Sequence, residues 1–87
     1  LLVRATLAPD SATRVAQARL PTGRIRSAEI EVESGLLVYS FDIKIPGKSG
    51  IEEVLVDAKT GTVLSVTHEG PAAAAAERKA DSARVKP

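Results

Sequence analysis

The chain contains no cysteine, no methionine and no tryptophan, and only one tyrosine and one phenylalanine. Without cysteine there is no disulfide framework and no thiolate metal site. With so few aromatic rings there is no stacking platform for single-stranded nucleic acid. A formal net charge of +1 gives no electrostatic footprint for a phosphate backbone, so nucleic acid is not an expected partner. No apolar run approaches the ~20 residues that a membrane-spanning helix requires. A complete translated chain begins with methionine, so its absence is expected of a processed or excised chain. Leu1, Leu2 and Val3 fit the remnant of a removed signal and a domain boundary equally well.

What is present is a single small domain's worth of sequence, 87 residues, with room for a modest core and none for a deep cleft between lobes. The charge divides unevenly. Residues 1–70 carry eight Lys/Arg and nine Asp/Glu, whereas residues 71–87 carry four and two. The expected folded part is therefore near neutral, and the segment after it is basic.

Pro9-Asp10-Ser11 reads as a helix start, with Asp10 or Ser11 accepting from an orphan N–H of the first turn. Ala12, Val15, Ala16 and Leu20 come next at helical spacing, and Pro21 with Thr22-Gly23 ends the helix. From Arg24 to Glu69 the pattern changes to apolar/polar alternation. Ala28, Ile30 and Val32 alternate with Glu29, Glu31 and Glu33. Ser34-Gly35 then marks a tight turn. Leu37, Tyr39, Phe41, Ile43 and Ile45 form the longest apolar stripe, which places this strand centrally. Pro46 to Gly50 is a loop by composition. Ile51 to Asp57 and Thr62 to Thr67 complete four strands, joined by Asp57-Ala58-Lys59-Thr60-Gly61, a type I turn with a left-handed glycine after it, read as a bulged hairpin. The alanine-rich run from Ala72 favours helix but has no apolar stripe, and residues 70–87 read as a flexible tail.

These features predict an α+β fold, one N-terminal helix packed on a four-stranded antiparallel β-meander. The expected division is an arm over residues 1–7, the domain over 8–69 and the tail over 70–87. The expected core is Val15, Ala16, Leu20, Ile30, Val32, Tyr39, Phe41, Ile43, Val54, Val56 and Val63.

The segment VYSFDIKIPGKSGIEEVLVDAKTGTVLSVTHE, and within it Val56-Asp57-Ala58 through Thr60-Gly61-Thr62-Val63, resembles the PepSY family. The likeness extends over about residues 8–69, including the helix that ends at Leu20-Pro21. PepSY domains are small domains of secreted-metallopeptidase propeptides and of many bacterial exported proteins. The resemblance implies a periplasmic or secreted location and a protein partner, either a peptidase that the domain restrains or another envelope protein. The shared hairpin motif itself is turn chemistry: Asp57 accepts from backbone N–H groups, and Gly61 takes a positive φ.

No catalytic set is legible. His68-Glu69 supplies neither the ligand count of a zinc site nor a nucleophile with its base and orienter, and no serine has a partner motif. Tyr39 lies among Leu37, Phe41 and Ile43, which predicts core packing with the hydroxyl at the edge. The residues read as binding candidates are Val38, Ser40, Leu55, Leu64 and Val66; Val38 and Leu55, with Leu64 or Val66, interrupt the polarity of the second sheet face. Together these residues point to a non-catalytic interaction module with no cofactor and no metal. A second copy of the chain is one expected covering for that face. The alternative is a small metal- or ligand-binding periplasmic protein using His68, Glu69 and the acidic strand.

Overall fold

The computed structural model describes residues 7–71. Helix α1 (Pro9–Arg19) precedes strands β1 (Arg24–Glu33), β2 (Leu36–Lys44), β3 (Ile51–Asp57) and β4 (Val63–Glu69). The strands form one antiparallel sheet in the order β1-β2-β3-β4, the expected α+β meander. The tail residues 72–87 and the arm residues 1–6 lie outside the described residues.

The helix begins earlier than its capping signal implies. Pro9 occupies the first turn, where its missing N–H costs nothing, and Ala8 is the N-cap without a side-chain bond. Capping by Asp10 or Ser11 is therefore not realised, and Asp10 sits in the first turn, where its charge suits the helix dipole. At the other end the Gln17 amide donates to the carbonyls of Leu20 (3.1 Å) and Gly23 (2.8 Å), tying the helix to the turn at its C-terminus. Gly23 is required by close approach, since a Cβ there would lie 2.3 Å from Cγ2 of Ile43.

Ser34 and Gly35 join β1 to β2 with φ of 49° and 80°. Positive φ at both central residues is the mirror-image turn whose twist matches that of a hairpin. The β3–β4 connection uses Asp57 as the sequence implies. Its Oδ1 accepts from the N–H groups of Lys59 (2.7 Å) and Thr60 (3.1 Å), and Gly61 has φ 79°. The connection is bulged as expected: Gly61 N–H donates to the Asp57 carbonyl and Asp57 N–H to the Thr62 carbonyl (2.8 Å each), setting Gly61 and Thr62 both against Asp57. A second bulge follows at Leu64, where the register slips between Val56↔Val63 and Leu55↔Ser65.

Paired residues share a sheet face, so the register assigns both faces. Tyr39, Phe41 and Ile43 of β2 and Val54 and Val56 of β3 lie under Ala12 and Ala16 of α1, with Ala58, as the buried core. The two alanines have no exposed surface, which lets the helix backbone approach the sheet closely. Phe41, Ile43, Val54 and Val56 each contribute about 1.5–3 kcal/mol by leaving water. Val15, Leu20, Val63 and Val66 pack around this cluster as partly buried neighbours.

Three expectations are corrected. Ile30 and Val32 are 52% and 65% exposed, although they lie on the helix side opposite Tyr39 and Leu37. The helix packs on β2 and β3, and its 11 residues reach only ~16 Å, so β1 is left without a cover. Val38, placed on an open face by its parity, is 1% exposed. Val66 is on the helix face opposite Val54 rather than on the second face, because the bulge at Leu64 reverses the parity of the residues beyond it.

Leu7 closes the fold at its start. Its N–H donates to the carbonyl of Ala58 (2.9 Å), its carbonyl accepts from the Tyr39 hydroxyl (2.9 Å), and its side chain packs on the core. Tyr39 is thus a core residue with its hydroxyl at the rim.

Candidate functional site

On the face away from α1 the register sets out three central rows, between Glu33 with Leu36 at one end and Ile51 with Glu69 at the other. Glu29, Ser40, Leu55 and Ser65 make one. Glu31, Val38 and Asp57 make a second, and Ser27, Asp42, Glu53 and Thr67 a third. The strands put carboxylates here because glutamate or aspartate alternates with apolar residues along β1, β2 and β3. Several of these groups already have partners: Glu31, Asp42 and Glu53 are engaged, and Asp57 is committed to its turn.

The five binding candidates are therefore not one patch. Ser40 and Leu55 are directly opposite one another on this face and half-buried. Val38 shares the face but is closed to solvent, Leu64 is 42% exposed at the bulge, and Val66 faces the helix side. What the structure brings together is Ser40 with Leu55, flanked by Glu29 and Ser65.

The β1 edge is a feature that alternation alone does not reveal. From Ser27 to Glu33 its pairing with β2 is uninterrupted, and among the described residues β1 has no neighbour on its outer side within the sheet. Ile30 and Val32 stand exposed on one side of this strand, and Glu29 and Glu33 on the other.

His68 and Glu69 do not act together. Neighbouring strand residues point to opposite faces, and His68 Nδ1 pairs with Glu52 on the helix side. Glu52 is 8% exposed, the one buried charged side chain among the described residues. It sits opposite Ile43, so the imidazole is its polar partner on a largely apolar face. Among the described residues no group of three or more His, Cys, Asp or Glu is placed to hold a metal ion. None of their helices is long and apolar enough to cross a membrane.

The described residues form a helix laid on one face of a four-stranded meander, with the buried acid Glu52 paired to His68. The chain belongs to the PepSY family: the family model described as peptidase propeptide and YPEB domain matches residues 6–67. The match takes in Leu7, the helix and the meander as far as Thr67. Domains of this family are propeptide-like, generally non-catalytic modules, typically found in exported proteins. Comparison with curated proteins and with solved structures finds no significant match.

Proposed function

We propose that this chain is a non-catalytic, exported interaction module that binds a protein partner and restrains a peptidase. The observation that carries this reading is the division of labour between the two faces. Among the described residues, Phe41, Ile43, Val54 and Val56 are held on the α1 side and Val38 alone is fully buried on the other, so the core is built chiefly on the α1 face. On the other face Leu55 and Ser40 stay half-buried, flanked by Ser65 and Glu29. A face on which Leu36, Val38 and Leu55 are interleaved with Glu29, Ser40 and Ser65 suits a protein contact better than a small-molecule pocket. Membership of a peptidase-propeptide family supports a peptidase as the partner.

The test is titration of the domain against secreted metallopeptidases, with Leu55→Asp as the variant. The wild-type domain is expected to lower activity at micromolar levels. Leu55→Asp should weaken that effect about tenfold or more, the loss of one well-placed apolar contact, while circular dichroism shows the fold unchanged. Activity that stays constant across the titration removes the peptidase reading.

A further inference from the structure

Of the sheet's two edges, β4 is interrupted by the bulge at Leu64, whereas β1 pairs without a break from Ser27 to Glu33. An outer strand presents alternate N–H and C=O groups with no partner, and natural edges are commonly blunted with charged side chains, lysine above all, with proline or with a bulge. The glutamates of β1 are such charges, and they leave the edge open to a cationic strand. Ser27-Ala28-Glu29-Ile30-Glu31-Val32-Glu33 contains no proline and no lysine, and the β1 register shift lies before it, between Ile25 and Ser27. Beside this open ladder lie two exposed apolar side chains, Ile30 and Val32. On the opposite face of the same strand stand Glu29, Glu31 and Glu33, of which Glu29 and Glu33 are exposed.

We propose that the β1 edge accepts, by strand addition, an extended partner segment in which lysine or arginine alternates with apolar residues. The sheet register dictates the pattern. A strand added beside β1 places alternate side chains next to Ala28, Ile30 and Val32, and the others next to the glutamates. Apolar residues on the first face cover exposed Ile30 and Val32, and cations on the second meet the acidic row. Main-chain bonds to the open ladder supply affinity, and the alternating pattern supplies selectivity.

A second copy of this chain fits the same edge poorly. Antiparallel pairing of β1 with itself, in any register that keeps apolar residues together near its centre, sets glutamate against glutamate. Centred on Ile30, Glu29 meets Glu31; centred on Glu29 or Glu31, that residue meets itself. Like charges directly opposite destabilise a pair.

The inference rests on the reading of the domain as an interaction module, but it places the contact on a strand edge rather than on the Leu55 face. The test uses the 87-residue chain and synthetic capped heptapeptides of alternating lysine and valine, monitored by amide chemical shifts and hydrogen exchange. Controls are the same peptide with alternate backbone nitrogens methylated, and a glutamate–valine peptide. The lysine–valine peptide should shift and protect β1 amides from Ser27 to Glu33. Methylation and charge reversal should abolish the effect. The double variant Glu29→Lys, Glu33→Lys should weaken binding about tenfold, the effect of turning two exposed attractive pairs repulsive.

Equal binding of the methylated peptide would reduce the contact to charge attraction and overturn strand addition. So would shifts confined to Ser40 and Leu55, or β1 amides protected in a dimer of the chain alone. The peptidase titration, repeated with the double variant, separates the two readings. Inhibition by both proteins with a silent peptide titration sinks the edge and spares the module. Peptide binding at β1 without inhibition sinks the peptidase and spares the edge.

Discussion

Glu52 and His68 show how much one residue's environment is set by its neighbour. A buried carboxylate without a partner is costly, and removing its hydrogen-bond partner leaves that cost exposed. His68→Leu is expected to destabilise the domain by about 1–3 kcal/mol. Glu52→Leu combined with His68→Leu should recover most of the loss, because two apolar groups can replace a buried polar pair. Denaturant unfolding of the single and double variants measures the coupling, and strictly additive losses would contradict it. This pairing was not legible from the sequence. Alternation sets Glu52 on the same face as the core residues Val54 and Val56, but it names no partner for a carboxylate there. The register supplies it, by setting Glu52 opposite Ile43 and His68. Proximity in sequence suggested His68 with Glu69, whereas the alternation of a strand separates them.

At the level of elements, the meander was legible because each strand carries a period of two and each connection carries its own turn chemistry. Gly35, Asp57 and Gly61 take the conformations that their residue types favour, and Ser34 is the one non-glycine with positive φ among the described residues. The relation of the elements to each other was less legible. Strand alternation shows that Ile30 and Val32 share a face with Tyr39, but not that the helix stops short of β1. A single bulge at Leu64 likewise moved Val66 across the sheet. The energetic consequence is a steep gradient from β2 to β1. Phe41→Ala is expected to cost about 3–5 kcal/mol, enough to unfold a domain at the low end of the usual total stability of about 5–15 kcal/mol. Ile30→Thr and Val32→Thr should each stay within about 0.5 kcal/mol of the parent, as exposed substitutions do. Thermal unfolding of the three variants tests the order, and a large loss at Ile30 or Val32 would show that β1 is covered after all.

On the scale of the molecule, the core and the proposed contacts use separate surfaces. The core uses β2, β3 and the inner side of α1. The proposed contacts use the Ser40–Leu55 face and the outer edge of β1. Variants at Leu55, Glu29 and Glu33 can therefore probe binding without emptying the core, a separation that a domain built around a central cleft would not allow.

The clasp at Leu7 has a mechanical consequence. The chain enters the domain through a backbone group bonded to Ala58 and through a carbonyl holding the ring of Tyr39. Tension or cleavage arriving from the N-terminal side is thus delivered to the β3–β4 turn and the second core strand, not dissipated in a loose leader. A chain starting at Ala8 should lose about 2–4 kcal/mol relative to one starting at Thr6, the sum of two hydrogen bonds and a partly buried leucine. Equal melting of the two chains would show the clasp to be idle. If the loss is found, a protease that cuts just after Leu7 severs the entry strap and loosens the whole domain from its edge, so that position becomes a release point written into the fold.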